Sequence, residues 1–483
     1  MSTRLKMLFI STLFSFSLNL LFGQTFETTI GEPSKNEFAY DGKPLPVAKC
    51  FVTVSNAPIF SPKNQWLFTR IDPTGHHIVN KVYGESNNIQ TKVLEGRAIE
   101  RVFGDGKGVY QAGGRTHAQP VRAVLMFSDD TGTPIHAMQQ YSPANVGEMA
   151  TTLESVSDGV IVAGNAKYNS LQVTNNRFFV ARFKLTNNKL VKTWSNRYFD
   201  GDVDSLKANF TVGKTCMGTS GNNPVIVITG SYVKKGTSGT HSFISCINAN
   251  TGSELWRRYV QSGFKTDEGA DIVQDPATKN FMMIGYCINT AGKRCLYVAY
   301  LNQSGTFLTG GSYSTVFGNS EIVGQDVTLS NDGKSAVITG YVKLPENNLK
   351  PNAFFVEIPF VPTPDLLPLA NTNYAKFYTA SEAYTRGTSS IDRNEGANDT
   401  KGYFITTQSV APNAAAPIYN IHVIDVENDG ETHLGPPCFV KKFELKPQKS
   451  GKEKKPFIKK EATNWDDIKV IEKVITLPEE RCQ

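Results

Sequence analysis

Histidine is scarce in this chain, seven in 483 residues, and none stands with acids at the spacing of a metal site. His76 and His77 are adjacent, so in any strand they point to opposite faces. None of the seven cysteines has the CxxC spacing of a zinc ribbon or a thiol redox motif. No G-x-S-x-G elbow, H-E-x-x-H helix or phosphate loop is present, which removes the serine-hydrolase, zincin and P-loop classes as motif-based readings. Beyond residue 24 there is no long apolar run, so no membrane-spanning helix is expected in the mature part. Charged residues make up 19% of the chain. The formal net charge of +6 includes Arg4 and Lys6, and much of the rest of the excess lies at the C-terminus. A basic groove for nucleic acid is therefore not the economical reading.

The N-terminus has a charged start with Arg4 and Lys6, an apolar stretch from Met7 to Phe22 and a small-residue exit at Gly23-Gln24. That is the layout of a cleaved signal peptide over residues 1–23. Ser11, Ser15, Ser17 and Asn19 interrupt the apolar core, which is too short and too polar for a membrane span. No cysteine sits at the exit to be lipidated. In an exported chain, an odd number of cysteines leaves at least one thiol unpaired or intermolecular. Cys287 and Cys295 flank a hairpin read over Tyr286 to Cys295, where a cross-strand disulfide is geometrically reasonable. Buried free thiols are the alternative. Cys50, Cys216, Cys246, Cys438 and Cys482 have no pairing legible in sequence.

The strongest signal is an internal repeat. Short strand-like segments close on an aromatic at Tyr83, Tyr141, Tyr198, Tyr259, Tyr313, Tyr378 and Phe443. Before each lies an apolar strand-forming segment, usually leading into a turn with Asp or Asn and Gly, as in Trp66 to Gly75, Ala123 to Gly132, Phe243 to Gly252 and Leu296 to Gly305. Further upstream come β-branched runs that end at glycine, such as Val160 to Gly164, Val225 to Gly230 and Ala336 to Gly340. Continuous apolarity implies burial on both faces, which stacked sheets supply.

With a weaker first strand, such as Glu100-Arg101-Val102 or Asp271-Ile272-Val273, each unit has about four strands. The expected fold is all-β: a single β-propeller of about seven four-stranded blades over residues 24–445. Phe26 to Ile30 is placed to complete the last blade as a closing strand. From Leu445 the composition changes, with lysines at 446, 449, 452, 454, 455, 459 and 460 around Pro447 and Pro456. Residues 446–483 read as an extended basic tail, or as a docking segment, since Trp465 and the aliphatics from Ile468 to Ile475 are costly to leave in water.

Cys246 to Tyr259, CINANTGSELWRRY, resembles the repeat of the PQQ-like (quinoprotein-type) propeller families, with its strand, Asn-rich Thr-Gly turn and Leu-Trp strand end. The resemblance implies that Trp256 packs between blades. Asp72-Pro73-Thr74-Gly75 and Asp130-Thr131-Gly132 keep the turn but lack the Leu-Trp pair. Those families include quinone-dependent dehydrogenases and non-catalytic envelope scaffolds. Here there is no adjacent-cysteine pair or acidic cluster to hold a quinone and its calcium, so the resemblance speaks to fold.

Asp200, Asp202 and Asp204 alternate as oxygen ligands for calcium would. Ser205 stands where the usual glycine would be and Thr211 where a bidentate acid is needed, which leaves an ordinary acidic loop as the other reading. No other cofactor is called for, and no catalytic residue can be named. The resulting expectation is a non-catalytic exported propeller, periplasmic, peripheral to the outer membrane or extracellular, binding a protein partner through its loops. The rival is a carbohydrate-active or quinone-dependent enzyme with its site in the propeller channel.

Overall fold

The computed structural model describes residues 27–30, 38–45, 48, 50–57, 65–85, 94–103, 108–115, 120–141, 146–169, 174–200, 208–234, 239–315, 320–345, 351–360, 375–379, 384–385, 390–394, 402–410, 419–427, 439–442, 445–449, 452–454, 458–475 and 479–481. Residues 1–23, read above as a signal peptide, and Asp202 and Asp204 lie outside them.

Repetition of one hairpin chemistry builds the architecture. In blade 1, Gln65–Ile71 turns into His77–Glu85 through Asp72, whose Oδ1 accepts the N–H groups of Thr74 (2.8 Å) and His76 (2.9 Å). Asp129 does the same for Thr131 and Thr133 in blade 2, and Asn302 for Ser304 and Thr306 in blade 5. A short polar side chain thus mimics a turn of backbone. The fourth strand then bulges by one residue in blades 1, 2, 4 and 5, which turns Ile78, Ile135, Leu255 and Leu308 outward into solvent.

Blade 1 starts with Phe38–Leu45 and Cys50–Ala57. Blade 2 comprises Leu94–Arg101, Gly108–Arg115, Arg122–Asp129 and Pro134–Tyr141. Blade 3 comprises Val146–Val156, Gly159–Asn169, Thr174–Thr186 and Lys189–Asp200. Blade 4 comprises Ala208–Ser220, Asn223–Lys234, Thr240–Asn248 and Glu254–Gln261. Blade 5 comprises Thr266–Gln274, Phe281–Ile288, Arg294–Leu301 and Phe307–Thr315, and blade 6 comprises Glu321–Leu329, Ser335–Lys343, Pro351–Pro359 and Lys376–Thr379. All pairings are antiparallel.

A further sheet, six-stranded, closes the ring from both ends of the chain. Gly402–Val410 pairs with Tyr384–Thr385, Ser390–Asn394 and Tyr419–Glu427, and Glu27–Ile30 lies on the far side of Tyr419–Glu427. Seven like blades of four strands were expected. The structure has six that repeat one five-stranded plan and one closing sheet that does not. The aromatic at 443 does not close a seventh regular blade: Phe439–Lys442 before it is an edge strand on blade 6, and the closing sheet takes its fourth strand from the N-terminus.

The fifth strands come from the segment read as an extended basic tail or a docking segment. From Phe439 onward the chain runs round the ring against the blade order. Leu445–Lys449 pairs with the outer strand of blade 5, Lys452–Lys454 with blade 4, Ile458–Ala462 with blade 3, Asn464–Asp467 with blade 2 and Val470–Ile475 with blade 1. Glu479–Arg481 then pairs with Glu27–Ile30 in the closing sheet. Strand twist accumulates across a blade by roughly 20–25° per strand, so an outermost strand is turned toward the circumference and one chain can pass from blade to blade. The belt covers outer edges that would otherwise be open to pairing.

The core is split among the interfaces between adjacent sheets. Val225 and Val227 pack toward blade 5, whereas their neighbours Ile226 and Ile228 pack toward blade 3. The continuous apolar runs are therefore buried on both faces, as their sequences imply. A cluster joining Ile30, Phe404 and Val423 to Phe51 and Leu67 seals the closing sheet against blade 1. Outer aromatics tie successive blades together. The Tyr83 and Tyr198 hydroxyls donate to the turn carbonyls of Gly132 (2.6 Å) and Gly252 (2.7 Å), and Trp256 Nε1 donates to Gln303 O at 3.0 Å. Gly305 has φ of 77°, and a Cβ there would stand 2.6 Å from the Trp256 ring.

Candidate functional site

Each regular blade's inner strand carries a register shift near its middle, as between Ala39 and Asp41, Gly269 and Asp271, or Gly324 and Asp326. Such a bulge re-aims the side chain that follows it. Asp41, Thr152, Thr215, Asp271 and Asp326, each just past its bulge, line a cavity of about 270 Å³ in the central channel, together with Lys43, Glu100, Arg101, Glu154, Lys214 and Cys216. Ile391 of the closing sheet completes the wall.

Most of these polar groups join one sheet to the next. Asp41 Oδ2 accepts the Ile99 N–H (3.2 Å), Asp271 Oδ2 that of Val327 (2.9 Å) and Asp326 Oδ2 that of Ile391 (2.7 Å). The hydroxyls of Thr152 and Thr215 meet at 2.9 Å between blades 3 and 4. Lys214 Nζ reaches across to Asp326 Oδ2 at 2.7 Å and Asp41 Oδ1 at 3.7 Å, and Lys43 pairs with Glu100 at 3.4 Å.

Burial works against the Lys214 charge, yet Asp326, Asp41 and Asp271 outweigh it and hold the ammonium above the ordinary lysine range. Burial, reinforced by the neighbouring Asp326 charge, pushes Asp271 well up. Asp326 is held low against its own burial by Lys214 and by the hydrogen bond from Asp271. The two carboxyls thus titrate as a pair, with Asp271 pushed toward its neutral form and Asp326 toward its charged form, as expected of two acids sharing a site. On the opposite wall, burial and then the Glu100 charge push Glu154 up to about 8 against Lys43, the Thr215 hydroxyl and Lys214. Thr215 Oγ1 donates to Glu154 Oε1 at 3.1 Å. Near neutral pH this wall therefore presents a carboxylic acid, while burial keeps the Cys216 thiol protonated.

The residues singled out from sequence do not converge on this channel. Asp200 ends the outer strand of blade 3 and accepts the Tyr259 hydroxyl at 2.9 Å. Among the described residues no cluster of three or more His, Cys, Asp or Glu could hold a metal ion. Cys287 and Cys295 face each other in register within blade 5. Both are buried, with free thiols. Their mutual hydrogen bond pushes Cys287 up and draws Cys295 down.

Trp465 is buried in the belt. Its ring meets Phe183 edge-on at 5.0 Å, and its Nε1 donates to Ser195 Oγ at 3.1 Å, anchoring the belt between blades 2 and 3. Trp194 repeats the role implied for Trp256, donating to Ala249 O at 3.1 Å. The channel set had a faint sequence signal that passed unread: Gly269-Ala270-Asp271 and Gly324-Gln325-Asp326 recur as G-x-D one blade apart.

No family model matches the chain, and no curated protein does. Among solved structures it is similar to the periplasmic gluconolactonase PpgL of Pseudomonas aeruginosa, with 10% identity, a TM-score of 0.43, 86% of this chain covered and 99% of that one. It is also similar to Sqt1 of Chaetomium thermophilum (8% identity, TM-score 0.40, 88% of each chain) and to Sqt1 bound to the N-terminus of the ribosomal protein L10 (8% identity, TM-score 0.36, 68% of this chain and 84% of that one). At these scores the likeness carries no argument.

Proposed function

We propose that the chain is a non-catalytic exported β-propeller serving as a protein-binding or scaffold subunit of a cell-envelope or extracellular assembly. The observation that carries this reading is the use made of the channel's charged groups. Asp41, Asp271 and Asp326 spend carboxylate oxygens on backbone N–H groups of the next sheet, and Lys214 is neutralised between two of them. Exposed Ile78, Ile135, Leu255 and Leu308, on the fourth strands of blades 1, 2, 4 and 5, offer apolar contacts to another polypeptide. The test is purification of the full mature chain from its native envelope. A stoichiometric polypeptide partner, retained by a Glu154→Gln variant and lost when the four rim aliphatics become serine, is expected. A solitary wild-type chain overturns the reading.

A second reading rests on Glu154, a carboxylic acid near neutral pH in a cavity of monosaccharide dimensions. Turnover of an extracellular carbohydrate or alcohol by the wild type, abolished in the folded Glu154→Gln variant, would move the function to the channel.

A further inference from the structure

Strand alternation gives the channel a second tier of side chains. Two residues beyond the position that follows each bulge, and so on the same side of the strand, stand Lys43, Glu100 and Glu154 in blades 1 to 3 and Met217, Val273 and Thr328 in blades 4 to 6; all six line the cavity. One half of this tier is charged and the other is chiefly apolar. A cavity of about 270 Å³ with two such halves takes a ligand that has a charged head and an apolar body.

The charged half narrows the choice of head. Lys43 is 3.4 Å from Glu100, and Lys214 lies between Asp326 and Asp41, so both ammonium groups already have carboxylate partners. Arg101 is likewise engaged. None of the three calls for an anion. Asp271 gives both oxygens to backbone N–H groups, those of Ile272 at 2.7 Å and Val327 at 2.9 Å. Glu154 is the carboxyl left over: its Oε1 accepts the Thr215 hydroxyl, and its Oε2 has no hydrogen bond among the described residues.

The groups whose charges bear on Glu154 are Glu100 from blade 2, Lys43 from blade 1, and Lys214 and Cys216 from blade 4. Burial and Glu100 prevail, which leaves the acid neutral near pH 7. A cation seated beside it would offset both and let it ionise. A bare metal ion does not suit the place, since among the described residues no cluster of three or more His, Cys, Asp or Glu could hold one and half of the wall is apolar.

We propose that the channel cavity is a binding site for a small organic ammonium compound, its head against Glu154 and its hydrocarbon body against Met217, Val273 and Thr328. Such a site requires neither the polypeptide partner nor the turnover of the two readings above, and goes beyond both. As the ammonium nitrogen donates to Oε2, the Glu154 proton leaves to solvent, so each ligand bound at pH 7 releases about one proton.

The test is titration calorimetry of the full mature chain with n-pentylamine, run in a pair of buffers of different ionisation enthalpy so that protons are counted. Binding in about the millimolar range, which so small a ligand can reach, is expected at pH 7 with release of about one proton. It should tighten about tenfold at pH 9, where Glu154 is already largely ionised. 1-Pentanol, of the same shape without the charge, and methylamine, the same head without the body, should each bind roughly tenfold or more weakly. Glu154→Gln keeps an oxygen for the Thr215 hydroxyl; it should weaken pentylamine by a similar factor and remove the proton release. The pH dependence and the ligand series of the wild type decide the matter whether or not that variant folds. Absence of pentylamine binding at pH 9, equal binding of methylamine, or unchanged affinity in a folded Glu154→Gln protein overturns the proposal. So does equal binding of 1-pentanol, which would leave the cavity to the neutral carbohydrate or alcohol of the second reading. Capture of a polypeptide partner and turnover are scored in separate assays, and failure there leaves the calorimetry intact.

Discussion

Replacing Glu154 by glutamine should make the chain's stability less sensitive to alkaline pH. The wild-type carboxyl is pushed from an ordinary 4.5 up to about 8 in the folded protein. A folded-state value above the unfolded one means that the native state holds its proton more tightly. Stability from this group is then fully present below about pH 4.5, falls as pH rises from there toward 8, and levels off above. At about 1.4 kcal/mol per unit the ceiling is about 5 kcal/mol. Glu154 is only partly buried and lines the channel cavity, so about half of that is expected after screening. Glutamine keeps an oxygen to accept the Thr215 hydroxyl and has no proton to lose. Urea unfolding at pH 5, 7 and 9 would compare the two proteins. They should be close at pH 5, and the variant should be more stable by about 2 kcal/mol at pH 9. Asp271, Asp326 and Lys214 titrate in both proteins and cancel in the difference. Parallel profiles at all three pH values would refute the assignment of Glu154 as a neutral acid.

Trp465→Ala removes the belt's aromatic anchor and should cost about 3–5 kcal/mol; hydrogen exchange should rise first over Ile458–Asp467, and unchanged protection there would contradict the anchoring role. Gly305→Ala combines a positive φ with a 2.6 Å clash on Trp256, whereas Gly292 has φ of 73° and nothing within 4 Å. The first variant should therefore melt well below the second, which bears only the backbone cost of about 1 kcal/mol; equal melting temperatures would remove the packing argument. Refolding with oxidised glutathione should link Cys287 to Cys295, because their facing register is the requirement that Cys50, Cys216 and Cys246 do not meet with one another. Non-reducing peptide mapping reads this, and a different pairing among these five would refute it.

Much of the blade was legible because its signals are local. Asp72, Asp129 and Asn302 close their hairpins with their own side chains, and runs such as Val225 to Ile228 declare two-sided burial by having no polar alternation. The N-terminal strand near Ile30 was also placed correctly, since a ring of sheets needs a closing edge. The belt was not legible. Its strands are short, as at Lys452–Lys454 and Asn464–Asp467, and are rich in lysine and glutamate. They become strands only because a blade edge far away in sequence offers hydrogen-bond partners, so in isolation they read as a solvated tail or, around Trp465, as a docking segment. Phe443 misled for the same reason, sitting after an edge strand that looked like the end of a blade.

The sequence by itself determined the hairpins, the apolar sandwiching of each sheet and the need for closure. Tertiary structure alone decided the channel and the belt's two faces. Asp41, Glu154, Lys214, Asp271 and Asp326 come from five blades, and their charges are set by mutual distance across the axis. Whether a belt lysine or its neighbouring glutamate faces water depends on which side of the added strand meets the blade, and pairing between strands fixes that.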